Sequence, residues 1–144
     1  MFGIKVLQTK TPLFVKGAGR MGRSWRQIRL LSSDGQGAVE VTEETFAKQV
    51  LESSKPVVVD FYADWCKPCQ MLAPVIDAAV RKDGRVGLVK VNVDTQQNLA
   101  SDYKITSLPT VVGFYGGQPV AAFVGMRAPT AVAQFVKEVA EKAK

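Results

Sequence analysis

Residues 57–76 read Val57-Val58-Val59-Asp60-Phe61-Tyr62-Ala63-Asp64-Trp65-Cys66-Lys67-Pro68-Cys69-Gln70-Met71-Leu72-Ala73-Pro74-Val75-Ile76, and their order decides the fold class. Val57 to Tyr62 is a short run of β-branched and aromatic residues, the composition of a strand buried on both faces. The period then changes: Met71, Leu72, Val75, Ile76, Ala79 and Val80 recur at helical spacing. These six are expected to form the buried face of a helix running from near Cys66 to about Lys82. Pro74 should kink it, because the ring displaces the amide bond to the preceding turn. Cys66 and Cys69 fall where strand gives way to helix.

Outward from this stretch, strands and helices alternate. Upstream, Val39 and Val41 flank Glu40 in a short edge strand, and Thr42 precedes Glu43 and Glu44 as a helix start. Phe46, Val50 and Leu51 form the stripe of that helix, which Lys55-Pro56 ends. Downstream, Val86–Val93 reads as a second buried strand and Gln96–Tyr103 as a short helix. Thr110–Tyr115 and Val120–Val124 flank Gly116-Gly117, a hairpin signal. Val132, Phe135, Val136, Val139 and Ala143 line a terminal helix. The uncharged stretch from Ile105 to Met126 is long enough for a membrane helix, but Pro109, Gly116, Gly117, Gln118 and Pro119 break it into two strands. A βαβαβ chain followed by a hairpin and a helix implies an α/β fold with a mixed central sheet and helices on both faces.

The chain has 144 residues, 47% apolar and 22% charged, the profile of one soluble domain with an extension. Its net charge of +6 is uneven. Residues 1–38 carry seven of the 19 basic side chains and one acid, Asp34, so residues 39–144 are balanced with twelve of each sign. A nucleic-acid surface needs its positive charge on the folded body, so that function is not expected. There is no histidine, which excludes Ser-His-Asp and Cys-His catalysis and any imidazole metal site. With two cysteines only, zinc would require carboxylates or a second subunit, and a secreted disulfide framework is not expected. Redox chemistry or simple burial remains for the sulfurs.

The three-residue spacing permits a closed 66–69 disulfide on one helical turn. Pro68 suits the first turn, where its missing N–H costs nothing, and stiffens it. Free amides and the positive dipole end of the helix favour a thiolate at Cys66, and Lys67 adds a neighbouring cation. Cys66 is therefore the expected nucleophile toward a substrate disulfide, and Cys69 the group that resolves the mixed disulfide. The competing reading is two inert, packed cysteines. Asp60 sits inside an apolar run, where burial should raise its pKa; alternatively it is an exposed strand-end carboxylate paired with Lys90.

Residues 39–144 resemble a thioredoxin domain. The resemblance rests on Asp60-Phe61-Tyr62-Ala63-Asp64-Trp65-Cys66-Lys67-Pro68-Cys69, Ala73-Pro74, Lys90-Val91-Asn92-Val93-Asp94, Leu108-Pro109-Thr110 and Gly116-Gly117, in that order. It implies a thioredoxin-like fold and a protein-disulfide reductase without a dissociable cofactor, NADPH entering only through a thioredoxin reductase. Expected clients include peroxiredoxins and methionine sulfoxide reductases, and a monomer is expected. The resemblance further implies that Asp60 moves a proton for Cys69, and that Pro109 is cis and faces the cysteine pair. The backbone of Leu108 would then receive an extended client segment. Trp65, Pro68, Leu108, Gly125 and Met126 would form a flat apolar rim with Lys67 beside it, whereas ordinary core packing is the alternative for Trp65, Leu108 and Met126. Lys90 and Pro74 would act through structure, by tuning Asp60 and bending the helix. The departure from the commonest family pattern is Lys67, where glycine is usual.

Residues 1–31 match the composition of an organellar transit peptide: basic, hydroxyl-bearing and without acids. No apolar run is long enough for a secretory signal. Trp25, Ile28 and Leu31, beside Arg26 and Arg29, can form a short basic amphipathic helix. Arg29-Leu30-Leu31-Ser32-Ser33 resembles a mitochondrial processing site, with cleavage near Leu31 or Ser32. A matrix location is therefore expected, with 32–38 as a flexible linker. A plastid peptide would carry more Ser and fewer Arg; a basic arm on a cytosolic or bacterial protein is the other alternative. Two further functions compete with reduction. A thiol oxidase or isomerase usually carries His between its cysteines and a secretory signal. A non-catalytic thioredoxin-fold scaffold would have little need to keep Trp65, both cysteines, Asp60 and Pro109 together.

Overall fold

The computed structural model describes residues 37–144. The expected transit peptide, and residues 32–36 of the expected linker, lie outside the described residues. The elements in order are β1 (Val39–Glu40), α1 (Glu43–Phe46, running on into a π-helical turn, Ala47–Leu51), β2 (Val57–Tyr62), α2 (Lys67–Asp83), β3 (Gly87–Asn92), α3 (Gln97–Asp102), β4 (Thr110–Tyr115), β5 (Gln118–Val124) and α4 (Pro129–Glu141). They form one mixed sheet in the order β1-β3-β2-β4-β5, with β1, β3 and β2 parallel and β4 and β5 antiparallel. The uncharged 105–126 stretch is thus a loop and two strands, and no described helix is long and apolar enough to cross a membrane.

The side-chain alternation of β2 divides the core. Val58 packs with Leu72, Ile76 and Val80 of α2 and with Val132, Phe135, Val136 and Val139 of α4. Val57, Val59 and Phe61 pack on the other face with Phe46, Val50 and Leu99, from α1 and α3. Period-2 geometry sends Asp60 to the same face as Val58, under α2.

Five local expectations change. The terminal helix ends at Glu141, so Ala143 lies beyond it and exposed, and Ala140 takes the last core position instead. Met71 is 65% exposed and does not belong to the buried face of α2. Leu72, Ile76 and Val80 recur every four residues and take the core; Met71 lies about 100° around the helix from Leu72. Val39 is exposed while Val41 is fully buried, because only the latter reaches the core beneath α1. The helix after Thr42 widens into a π turn closed by the Glu52 N–H on the Ala47 carbonyl at 2.9 Å. A segment this short cannot reveal its period. Finally, β5 begins at Gln118 rather than Val120, since Gly116 (φ 61°) and Gly117 (φ 77°) make a two-residue turn that pairs Tyr115 with Gln118. Pro119 then enters the strand at a register shift opposite Phe114, tolerated on a sheet edge.

Pairings Tyr62↔Asn92, Phe61↔Thr110 and Thr110↔Val124 bring the ends of β2, β3 and β5 and the start of β4 to one end of the sheet. The candidate site lies there.

Candidate active site

Four hydrogen bonds hold the turn between β2 and α2. The Cys66 N–H donates to the Ala63 carbonyl (3.1 Å) and Gln70 N–H to the Cys66 carbonyl (3.2 Å). Gln70 Nε2 donates to the Asp64 carbonyl at 2.7 Å, and Cys69 N–H donates to Cys66 Sγ at 3.2 Å. Cys66 is therefore the residue that caps α2, in an extended conformation (φ −83°, ψ 101°), with Pro68 in the first turn. The two cysteines are disulfide-bonded with α-carbons 5.3 Å apart. Both are buried, packed with Ala63 and flanked by Tyr62, Val93 and Leu108. On reduction, the amide aimed at Cys66 Sγ becomes a charge-assisted donor to a thiolate at the positive end of the helix. Cys69, the third residue of α2, supplies that amide, and no hydrogen bond among the described residues reaches its own Sγ.

Asp60 is 2% exposed, and no described residue hydrogen-bonds its Oδ1. Burial pushes its pKa from 3.8 up to about 6, against the opposing pull of the Lys90 charge. The alternative of an exposed, paired strand-end carboxylate is thus overturned. Lys90 lies directly opposite in the parallel register, but the ion pairs among the described residues are Arg81–Asp77 and Arg85–Asp83. The Lys90 ammonium sits 4.6 Å from the centroid of the Tyr62 ring. It lowers the proton affinity of Asp60 without binding it.

The rim gathers from three segments: the β2–α2 turn, the loop before β4 and the loop after β5. Trp65 is 69% exposed and Met126 46% exposed, so neither is core. Leu108 is half-buried against the cysteines. Lys67 and Pro68 are exposed, and Gly125 is partly so. The Leu108–Pro109 bond is cis, and the Pro109 carbonyl accepts from the Gly125 N–H at 2.8 Å, tying the two loops together. The sequence reading gave no role to Asp94, whose Oδ2 accepts from Trp65 Nε1 at 3.0 Å. Asn92 supports that loop by accepting from the Asp94 N–H at 3.0 Å and donating toward Asp64 Oδ2 at 3.4 Å. Both lie in the quoted 90–94 motif, but only the paired ends of β2 and β3 bring them to Trp65.

A family model described as thioredoxin matches residues 37–138. The chain belongs to the thioredoxin family. "Thioredoxin 1" of Nostoc sp. is 44% identical over 102 residues, covering 70% of this chain and 95% of that protein. The "Bifunctional thioredoxin reductase/thioredoxin" of Mycobacterium leprae is 40% identical over 102 residues, 70% of this chain and 22% of that protein. Among solved structures, a mutant thioredoxin from Halobacterium salinarum superimposes with a TM-score of 0.68 at 32% identity, covering 75% of this chain and 95% of the other. The fold is the thioredoxin fold, and the chain is a thiol-disulfide oxidoreductase whose redox centre is the cysteine pair. Thioredoxins work without a dissociable cofactor, taking electrons from a thioredoxin reductase and passing them to disulfide-bearing proteins. Among the described residues no group of three or more Cys, Asp and Glu is placed to hold a metal ion.

Proposed function

We propose that this thioredoxin is a protein-disulfide reductase of the mitochondrial matrix, reduced by an NADPH-dependent thioredoxin reductase and serving peroxiredoxins and methionine sulfoxide reductases. The observation that carries the chemistry is the Cys69 N–H donating to Cys66 Sγ at the helix cap. In the reduced protein the Cys66 thiolate attacks one sulfur of a client disulfide; a mixed disulfide forms and the other client sulfur leaves as a thiolate. Asp60, with its raised pKa, takes the Cys69 proton. The new thiolate attacks Cys66 Sγ, closing the 66–69 disulfide and releasing the second client thiolate. The client gains two electrons, and protons from solvent complete its thiols. Trp65, Pro68, Leu108, Gly125 and Met126 supply apolar contact, and the Leu108 backbone offers strand-like hydrogen bonds.

The reductase as electron donor is supported by the M. leprae relative, whose name places both activities in one chain. Import is supported by the seven basic residues of 1–38 and by a family match that begins only at residue 37. Insulin reduction with NADPH and thioredoxin reductase tests the mechanism. Cys66→Ser should abolish turnover, and Cys69→Ser should accumulate a mixed disulfide at Cys66. Activity retained in Cys66→Ser would refute it. A fluorescent protein carrying residues 1–38 should enter mitochondria; uniform cytosolic fluorescence would remove the location.

A further inference from the structure

Beneath α2 a cleft of about 360 Å³ runs from buried Asp60 to the surface. Asp60 and Lys90 line its floor, Ala73, Pro74 and Ile76 one wall, and Asp77 and Arg81 its outer part. Arg81 Nε and Asp77 Oδ2 form an ion pair at 2.9 Å, one turn apart on α2. Gly37 fits closely over that pair: a Cβ there would come within 3.3 Å of Arg81 Nη2 and 3.7 Å of Asp77 Oδ1. The orphaned Oδ1 of Asp60 therefore lies at the bottom of a cleft framed by two opposite charges.

We propose that Asp77 and Arg81 are positioning residues whose mutual pairing keeps either charge from shifting the proton affinity of Asp60 across this cleft, which is its route of proton exchange with solvent. The inference rests on Asp60 serving as the proton acceptor for Cys69. While the pair is intact its opposite charges nearly cancel at Asp60, leaving Lys90 as the main electrostatic influence. The other charge near the floor is Glu40 of β1, which stands opposite Lys90 in the register and accepts from the Tyr62 hydroxyl at 3.2 Å. From β4 the residue paired with Asp60 is the uncharged Val111, and α4 contributes no side chain to the cleft. Removing one partner of the ion pair exposes Asp60 to the full charge of the other.

The test is the Asp60 carboxyl titration, followed by carbon NMR in the oxidised full-length protein, where neither cysteine titrates. Arg81→Gln leaves the Asp77 carboxylate unopposed and should move the Asp60 midpoint up. Asp77→Asn leaves the guanidinium unopposed and should move it down. Each shift should be on the order of half a pH unit, as for one charge acting across a solvent-accessible cleft. The double variant Asp77→Asn/Arg81→Gln should return near the wild-type midpoint. Shifts of the same sign in both single variants, or no shift in either, would overturn the proposal. The pH profile of insulin reduction tests the underlying reading separately: if the Asp60 midpoint moves and the profile does not, Asp60 is not the acceptor although the pairing still shields it.

Discussion

Lys67 stands between the cysteines, exposed in the first turn of α2, where the family usually has glycine. Its cation favours the adjacent thiolate, by roughly 0.2–1 kcal/mol at an exposed position. Lys67→Gly should therefore raise the Cys66 pKa in the reduced protein and make the disulfide harder to reduce; thiolate absorbance against pH and equilibration with glutathione read the two effects. Equal values at low salt would leave Lys67 without a redox role. The residues of this site were legible in the sequence wherever chemistry is local: the cysteine spacing, Pro68 and the apolar neighbours of Asp60 all act within a few positions. Asp94 was not, since its bond to Trp65 spans two loops. Nor could spacing decide whether Trp65, Leu108 and Met126 were core or rim, because exposure is a property of the assembled surface.

At the scale of elements, β4 and α4 meet most tightly at Gly113. A Cβ there would collide with Val139 Cγ2 and lie 3.0 Å from Cγ1 and 3.2 Å from Cβ of the same residue. Val139 is fully buried in the α2–α4 layer and has no room to retreat. Gly113→Ala should cost about 1–3 kcal/mol, read as a lower urea midpoint; unchanged stability would mean that the helix shifts freely on the sheet. The strong elements were legible because their apolar periods were long: β2, α2, β4 and α4 lie close to their expected positions. The failures were edges of pattern. Met71 abuts the stripe of α2 without sharing its burial, and one turn of α1 is too brief to show a π period.

For the whole molecule, the order β1-β3-β2-β4-β5 was out of reach of local pattern, since register is chosen by distant partners; only the mixed class followed from the alternation of elements. This topology places Asp60 mid-sheet, with a consequence for stability. Its pKa is 3.8 ordinarily and about 6 in the fold, so between those values the folded state holds more protons than the unfolded one. The stabilising share of Asp60 is complete below pH 4 and is lost as pH rises through 6, at most about 3 kcal/mol. Asp60→Asn should accordingly gain on wild type in urea unfolding from pH 4 to pH 7. A constant difference between the two across that range would show that Asp60 titrates alike folded and unfolded.

The pairing of Val57 with Phe114 and of Tyr115 with Gln118 places the Gly116-Gly117 corner at the opposite end of the sheet from the sulfurs. That corner is a natural handle. A dye or a surface tether attached beside the corner at exposed Gln118, the first residue of β5, rather than at Gly116, whose φ of 61° would strain any side chain, would leave the sulfur-bearing end unobstructed, so that an immobilised protein could turn over as it does when free.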